Sequence, residues 1–202
     1  MIDNPFRTRL AASAGPCIKL LSALRLTPNQ VSCMGLALGL AAAGLVAAGY
    51  FMTAIVIWWL SRLLDGLDGI YARASNQTSD FGAFLDIQFD MLAYSAMIAA
   101  FYWQFPDLAW QWLLIMLAYV LCISGALGLG SFENKKGLTD ESKRGLRLAV
   151  GLAEGGETGL AYTVFLLFPS LLPITTWVWL AILIITIIAR FLLARNELAG
   201  SA

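Results

Sequence analysis

Residues 51–105 read FMTAIVIWWLSRLLDGLDGIYARASNQTSDFGAFLDIQFDMLAYSAMIAAFYWQF. Two apolar runs, each long enough to cross a bilayer as a helix, flank a short polar link at 74–78. Each run nonetheless carries two aspartates. Asp65 and Asp68 are three apart and Asp86 and Asp90 are four apart, so each pair shares one face of its helix. Ser79 is placed to cap the second helix. A link this short makes the helices antiparallel neighbours. With a rise of 1.5 Å per residue, and Arg73 and Asp80 marking the near ends, all four carboxylates lie roughly 7–15 Å inside. Ionisable groups at that depth are costly and usually mark function.

The rest of the chain supports a membrane setting. Of 202 residues, 59% are hydrophobic and 13% charged, and the mean hydropathy is +0.75. Soluble domains are typically about 45–50% apolar and about 25% charged. The expected class is therefore all-α, an integral membrane bundle of six transmembrane helices. The spans are expected near 27–48, 51–73, 79–105, 108–131, 144–168 and 175–195. All six prolines fall before, between or at the start of these spans. Residues 5–26 mix Arg7, Arg9, Lys19 and Arg25 with Leu10, Ile18, Leu20, Leu21 and Leu24, a pattern expected of an amphipathic helix lying in the interface. Two units follow: 1–26, a cytoplasmic interfacial helix, and 27–202, a six-helix catalytic domain.

Positive charge sets the orientation. One side carries the basic N-terminal segment, Arg73, the group Lys135, Lys136, Lys143, Arg144 and Arg147, and Arg195; the opposite connections carry no Lys or Arg. Both termini and the aspartate cavity are therefore expected to face the cytoplasm, with the chain in a prokaryotic plasma (inner) membrane. Tyr50, Phe51, Trp103, Phe105, Trp110, Trp112, Trp177 and Trp179 read as an aromatic belt at the far side.

Several chemistries are excluded. Thirteen basic residues offset thirteen acidic ones, leaving no excess for nucleic-acid binding. Histidine is absent, which removes imidazole catalysis and imidazole metal sites. Cys17, Cys33 and Cys122 form no Cys-x-x-Cys motif, so neither disulfides nor zinc are expected. Four clustered carboxylates repel one another, and divalent cations relieve that. Oxygen ligands suit Mg²⁺, Mn²⁺ or Ca²⁺, and facing acidic pairs can hold two ions. A carboxylate-lined cation transporter or channel is the alternative. Against it, every acid within the spans sits toward one side, which makes a cul-de-sac.

Read together, Asp65-x2-Asp68-Gly69-x2-Ala72-Arg73-x8-Gly82-x3-Asp86-x3-Asp90 resembles the signature of the CDP-alcohol phosphotransferase family, with eight fixed residues over 26 positions. The segment Thr27-Pro28-Asn29-Gln30-Val31-Ser32 is similar to the one that opens the family's first membrane helix. The resemblance implies transfer of a phosphoryl-alcohol group from a CDP-alcohol, usually CDP-diacylglycerol, to the hydroxyl of a small polar acceptor, with release of CMP. It implies two Mg²⁺ or Mn²⁺ ions per active site and a homodimer among membrane lipids. Asp65, Asp68 and Asp86 are then metal ligands, and Asp90 is the general base and a ligand of the second ion. Asn29, Gln30, Val31, Ser32, Gly69, Arg73, Ser79 and Gly82 match positions that contact the CDP-alcohol. The acceptor is not given by the motif. In the fifth span Glu154 and Glu157 lie roughly 10–15 Å in from Arg147, the depth of the aspartates, and are expected to line the acceptor pocket. An acidic pocket would favour a neutral polyol or a cationic amino alcohol. Pairing of these glutamates with Arg62, a lone mid-span cation, or with another helix is the competing expectation.

Overall fold

The computed structural model describes residues 14–135 and 155–199, and its described residues are helices joined by short links. Helix α1 spans Gly15–Ala23, α2 Pro28–Ala47, α3 Phe51–Ala74, α4 Asp80–Gln104, α5 Ala109–Lys135, α6 Gly155–Leu167 and α7 Leu172–Ala199. Single 3₁₀ turns, Pro106–Leu108 and Pro169–Leu171, lead into α5 and α7. Most of the basic group, Glu154 and the first part of the expected fifth span lie outside the described residues, as does the start of the N-terminal segment.

Helix starts follow local chemistry. At the head of α2, Thr27 and Gln30 form a capping box. The Gln30 amide N–H donates to Thr27 Oγ1 (3.3 Å), and the Thr27 N–H donates to Gln30 Oε1 (2.8 Å). Pro28 occupies the first turn, where its missing N–H costs nothing. Ser79 caps α4 as expected, its Oγ accepting from the Gly82 N–H at 3.0 Å. The turn into α3 passes through Gly49 at φ +83°, a left-handed conformation that glycine adopts without strain.

Among the described residues, four stretches are long and apolar enough to cross a membrane: Pro28–Ala47, Asp80–Gln104, Pro106–Phe132 and Pro169–Asn196. The sequence reading expects six. The difference has a physical basis. Helix α3 has the length, at 24 residues, but carries Arg62, Asp65, Asp68 and Arg73. Only 13 residues of α6 are described.

Helix α2 packs against both α3 and α4, α5 packs against α7, and α6 bridges the two groups through α3 and α7. Trp58, Phe101, Trp112, Tyr162 and Phe165 form the buried centre, with Phe101 stacked on Trp112 at 5.2 Å between ring centroids. Many large apolar side chains face outward, Trp103, Trp110 and Phe191 among them, as a lipid solvent permits. The aromatic belt divides. Tyr50, Trp103, Trp110 and Trp177 are exposed, but Trp112 and Trp179 are buried. Their indole N–H groups donate inward, to the Phe105 carbonyl (3.1 Å) and the Tyr119 hydroxyl (3.0 Å). These two belong to the core.

Candidate active site

The site is built where α2, α3 and α4 meet. On α3 the residues Arg62, Asp65, Asp68, Gly69, Ala72 and Arg73 recur at helical spacing along one stripe. On α4, Gly82, Asp86 and Asp90 stand one turn apart and face it. Asp65, Asp68 and Asp86 each offer a carboxylate oxygen, and these oxygens lie within 4.8 Å of one another. They come from two helices with fixed backbones, so the cluster is held ready rather than assembled from loops. Three hard oxygen donors this close fit a divalent cation such as Mg²⁺ or Mn²⁺. Ser32, on α2, donates its hydroxyl to Asp68 Oδ2. Asp68 itself is only 6% exposed, so that hydroxyl is a main orienting contact for it.

A cavity of about 210 Å³ opens beside the cluster. Its wall includes Asn29, Ser32, Gly69, Arg73, Ser79 and Gly82, six of the eight residues expected to contact a CDP-alcohol. Gln30 and Val31 are not in that wall. The Gln30 side chain is committed to the cap of α2, and Val31 is fully buried against Leu21 and Tyr71. Gly69 faces open space: a Cβ there would find nothing nearer than the Arg73 guanidinium, at 3.5 Å. Packing does not require glycine at this position, and the cavity gains the room. A Cβ on Gly82 would come within 3.3 Å of Asn29 Oδ1 and 3.2 Å of Ser79 Oγ, so Gly82 lets three wall residues sit close together.

Asp90 stands apart from the other three. It lines a second cavity, of about 140 Å³, with Tyr94, Tyr119, Thr158 and Arg190. Its Oδ1 accepts from Arg62 Nη1, and the same nitrogen lies 3.7 Å from Asp65 Oδ2. Arg62 thus pairs with Asp90 and Asp65. Glu157 borders a different, largely apolar cavity of about 390 Å³ between α6 and α7, while Gly155 and Thr158 of the same helix face the Asp90 cavity. Glu154 is outside the described residues.

Sequence reasoning missed two features here. Arg62 was visible as a mid-span cation one turn before Asp65, but which carboxylate it meets depends on how α3 and α4 are rotated. Arg190 comes from α7, a hundred positions after Asp90, and is 9% exposed with Nη1 donating to the Cys122 carbonyl. A buried cation in the last span was its only signal.

The family model for CDP-alcohol phosphatidyltransferase matches residues 25–139. Among curated relatives, the inner membrane protein YnjF of Escherichia coli is 33% identical over 175 residues, covering 84% of each chain. The phosphatidylinositol phosphate synthase of Corynebacterium glutamicum is 28% identical over 193 residues, covering 90% of this chain and 84% of that one. Solved structures of the Mycobacterium tuberculosis phosphatidylinositol phosphate synthase share the fold. The one with CDP-DAG bound superposes with a TM-score of 0.63 at 21% identity, covering 87% of this chain and 90% of that one. The one in complex with manganese and citrate gives 0.57 at 22%, covering 87% and 86%. The acidic cluster and the family match, which spans α2 to α5, fall on the same helices, and the chain belongs to the CDP-alcohol phosphatidyltransferase family, membrane transferases of phospholipid biosynthesis.

Proposed function

We propose that the protein moves a phosphatidyl group from CDP-diacylglycerol to the hydroxyl of a small phosphorylated polyol of the inositol phosphate kind, releasing CMP. The observation that carries this reading is a pair of cavities, each lined by carboxylates of the acidic motif. One holds the acidic cluster and the expected CDP contacts; the other holds Asp90 and the Arg190 side chain. A buried guanidinium suits a phosphate on the acceptor. The names of the Corynebacterium and Mycobacterium relatives point the same way. The acceptor reading thus shifts from the Glu154 and Glu157 expected from sequence to the Arg190 side of α6.

Asp65, Asp68 and Asp86 would hold a divalent ion, and Asp90 would complete the site for a second. When bound, the ions neutralise the pyrophosphate and the charge that develops on departing CMP. The chain's own residues do the rest. Arg73, at the cavity wall, offers a fixed positive charge to a phosphate oxygen. Asn29 and Ser79 supply polar contacts at the nucleotide end, and Gly69 leaves the space that the nucleotide fills. The acceptor oxygen attacks the phosphorus that bears the diacylglycerol, the bond from that phosphorus to the CMP oxygen breaks, and the hydroxyl proton passes to a carboxylate oxygen of Asp90.

In this reading the bundle crosses the membrane six times, with both termini and both cavities on the cytoplasmic side, and works as a homodimer. Helix α1 then lies in the interface, where its exposed Leu20 meets lipid. The test is purified protein with CDP-diacylglycerol and Mg²⁺, scored for CMP release with inositol phosphate, glycerol 3-phosphate, inositol, serine and choline. Release with inositol phosphate is expected. Release only with the unphosphorylated alcohols would refute the Arg190 cavity as the acceptor site, and no release at all would refute the donor.

A further inference from the structure

Burying an arginine in the middle of a membrane helix is expensive, and the surroundings of Arg62 are built to hold it. Its side chain is 9% exposed. One nitrogen, Nη1, donates to Asp90 Oδ1, lies 3.7 Å from Asp65 Oδ2 and donates to the Tyr94 hydroxyl at 3.3 Å. The other, Nη2, donates to Ser61 Oγ at 3.2 Å. The guanidinium carbon sits 4.7 Å from the Trp58 ring centre and 5.3 Å from that of Tyr94. Two aromatic rings and three hydrogen-bond acceptors therefore fix its position. A pair kept only for stability could be replaced by apolar side chains of similar volume at little cost. What such a replacement could not reproduce is the link between the carboxylate that closes the acceptor cavity and the helix that carries Asp65 and Asp68.

We infer that Arg62 is a positioning residue for the transfer reaction. It clamps Asp90 to the metal-holding face of α3 and aims the free carboxylate oxygen into the acceptor cavity. The inference rests on the reading of Asp90 as the proton acceptor. Three other carboxylates lie on the same side of the bundle, and the Asp90 side chain is 27% exposed, so repulsion alone would turn it away. A planar fork pinned by aromatic rings holds a carboxylate in one orientation; a lysine ammonium on a flexible stem does not. Because Arg62 acts through Asp90, its effect must vanish when the Asp90 carboxylate is gone.

A double-mutant cycle tests this, with kcat, the KM for CDP-diacylglycerol and Mn²⁺ affinity measured in the full chain. Arg62→Gln is expected to lower kcat roughly 100-fold, the scale of a misplaced catalytic group, with KM for the donor changed less than about threefold. Arg62→Lys recovers at most about tenfold of that loss. The double variant Arg62→Gln/Asp90→Asn is expected within about threefold of Asp90→Asn alone. Mn²⁺, titrated without lipid substrate, is expected to bind Arg62→Gln at least about threefold more tightly, since a positive charge beside Asp65 is withdrawn. Weaker Mn²⁺ binding, or losses that multiply in the double variant, would overturn the inference while leaving Asp90 as the base. Near-normal turnover by Asp90→Asn would overturn the base reading and this inference with it. Should Arg62→Gln not fold, Arg62→Lys passes through the same cycle with the same criterion of non-additivity.

Discussion

Removing the Ser32 hydroxyl is the sharpest probe of how the acidic cluster is held. Ser32 Oγ has one proton and two acceptors within reach, Asp68 Oδ2 and, at 3.2 Å, the Pro28 carbonyl; the contact to Asp68 is the shorter. Ser32→Ala therefore leaves a carboxylate oxygen of a residue only 6% exposed without that donor. A hydrogen bond to a charged group contributes about 1.5–3 kcal/mol. If that energy orients Asp68 toward an ion, its loss corresponds to roughly 10–100-fold in metal affinity, the range typical of groups that orient a ligand from behind. The assay is Mn²⁺ titration of the detergent-solubilised protein without CDP-lipid, by calorimetry or by the paramagnetic resonance of the free ion. Ser32→Ala should bind Mn²⁺ about 10–100-fold more weakly, and Ser32→Thr, which keeps the hydroxyl, within about threefold of the native protein. The opposite pattern refutes the reasoning: Mn²⁺ affinity within about twofold of native, with the donor KM up about tenfold, would mean that the hydroxyl touches the nucleotide and does not aim Asp68.

Other expectations follow from the same packing. A Cβ on Gly39 would lie 3.1 Å from Ser61 Oγ and 3.2 Å from Ala93 Cβ, so Gly39→Val should destabilise the contact of α2 with α3 and α4 by about 1–3 kcal/mol; an unchanged melting temperature in detergent would contradict this. Gly69→Leu should leave that melting temperature nearly unchanged, because its side chain enters the cavity, yet raise the donor KM about tenfold or more. The Tyr71 hydroxyl donates to the Leu26 carbonyl at 2.8 Å; Tyr71→Phe should cost about 1 kcal/mol and speed amide exchange in the turn between α1 and α2, measured by mass spectrometry.

Much of this site was legible because its parts are close in sequence. Asp65, Asp68 and Asp86 sit on two consecutive helices with a five-residue link at 75–79, so helical spacing alone brings them together. Helical period also explains the division of the Thr27–Ser32 segment. Asn29 and Ser32, three apart, share the cavity face, while Gln30 closes the cap and Val31 turns inward. Treating that segment as one contact stretch overlooked the period. Long-range placement was not legible. The partner of Arg62 is set by the relative rotation of α3 and α4, and the second cavity needs α7. Hydropathy likewise could not separate Trp112 and Trp179 from the exposed tryptophans, because lipid is as apolar as a protein core. The transporter alternative rested on buried acids alone; the family membership, which makes the chain a transferase, displaces it.

The two cavities share no wall residue, yet the guanidinium of Arg62 spans the interval between them, touching Asp65 on one side and Asp90 on the other. Under the proposed function, a partition of that kind bears on the order of events in turnover. In that reading the CDP-lipid would sit beside the acidic cluster and the acceptor beside Asp90, so both would be present before the phosphoryl bond moves and no phosphorylated enzyme need form. Initial-rate plots should intersect rather than run parallel. CMP, leaving through the donor chamber, should compete with the CDP-lipid and not with the acceptor. The geometry of one buried side chain thus becomes a statement about kinetic mechanism.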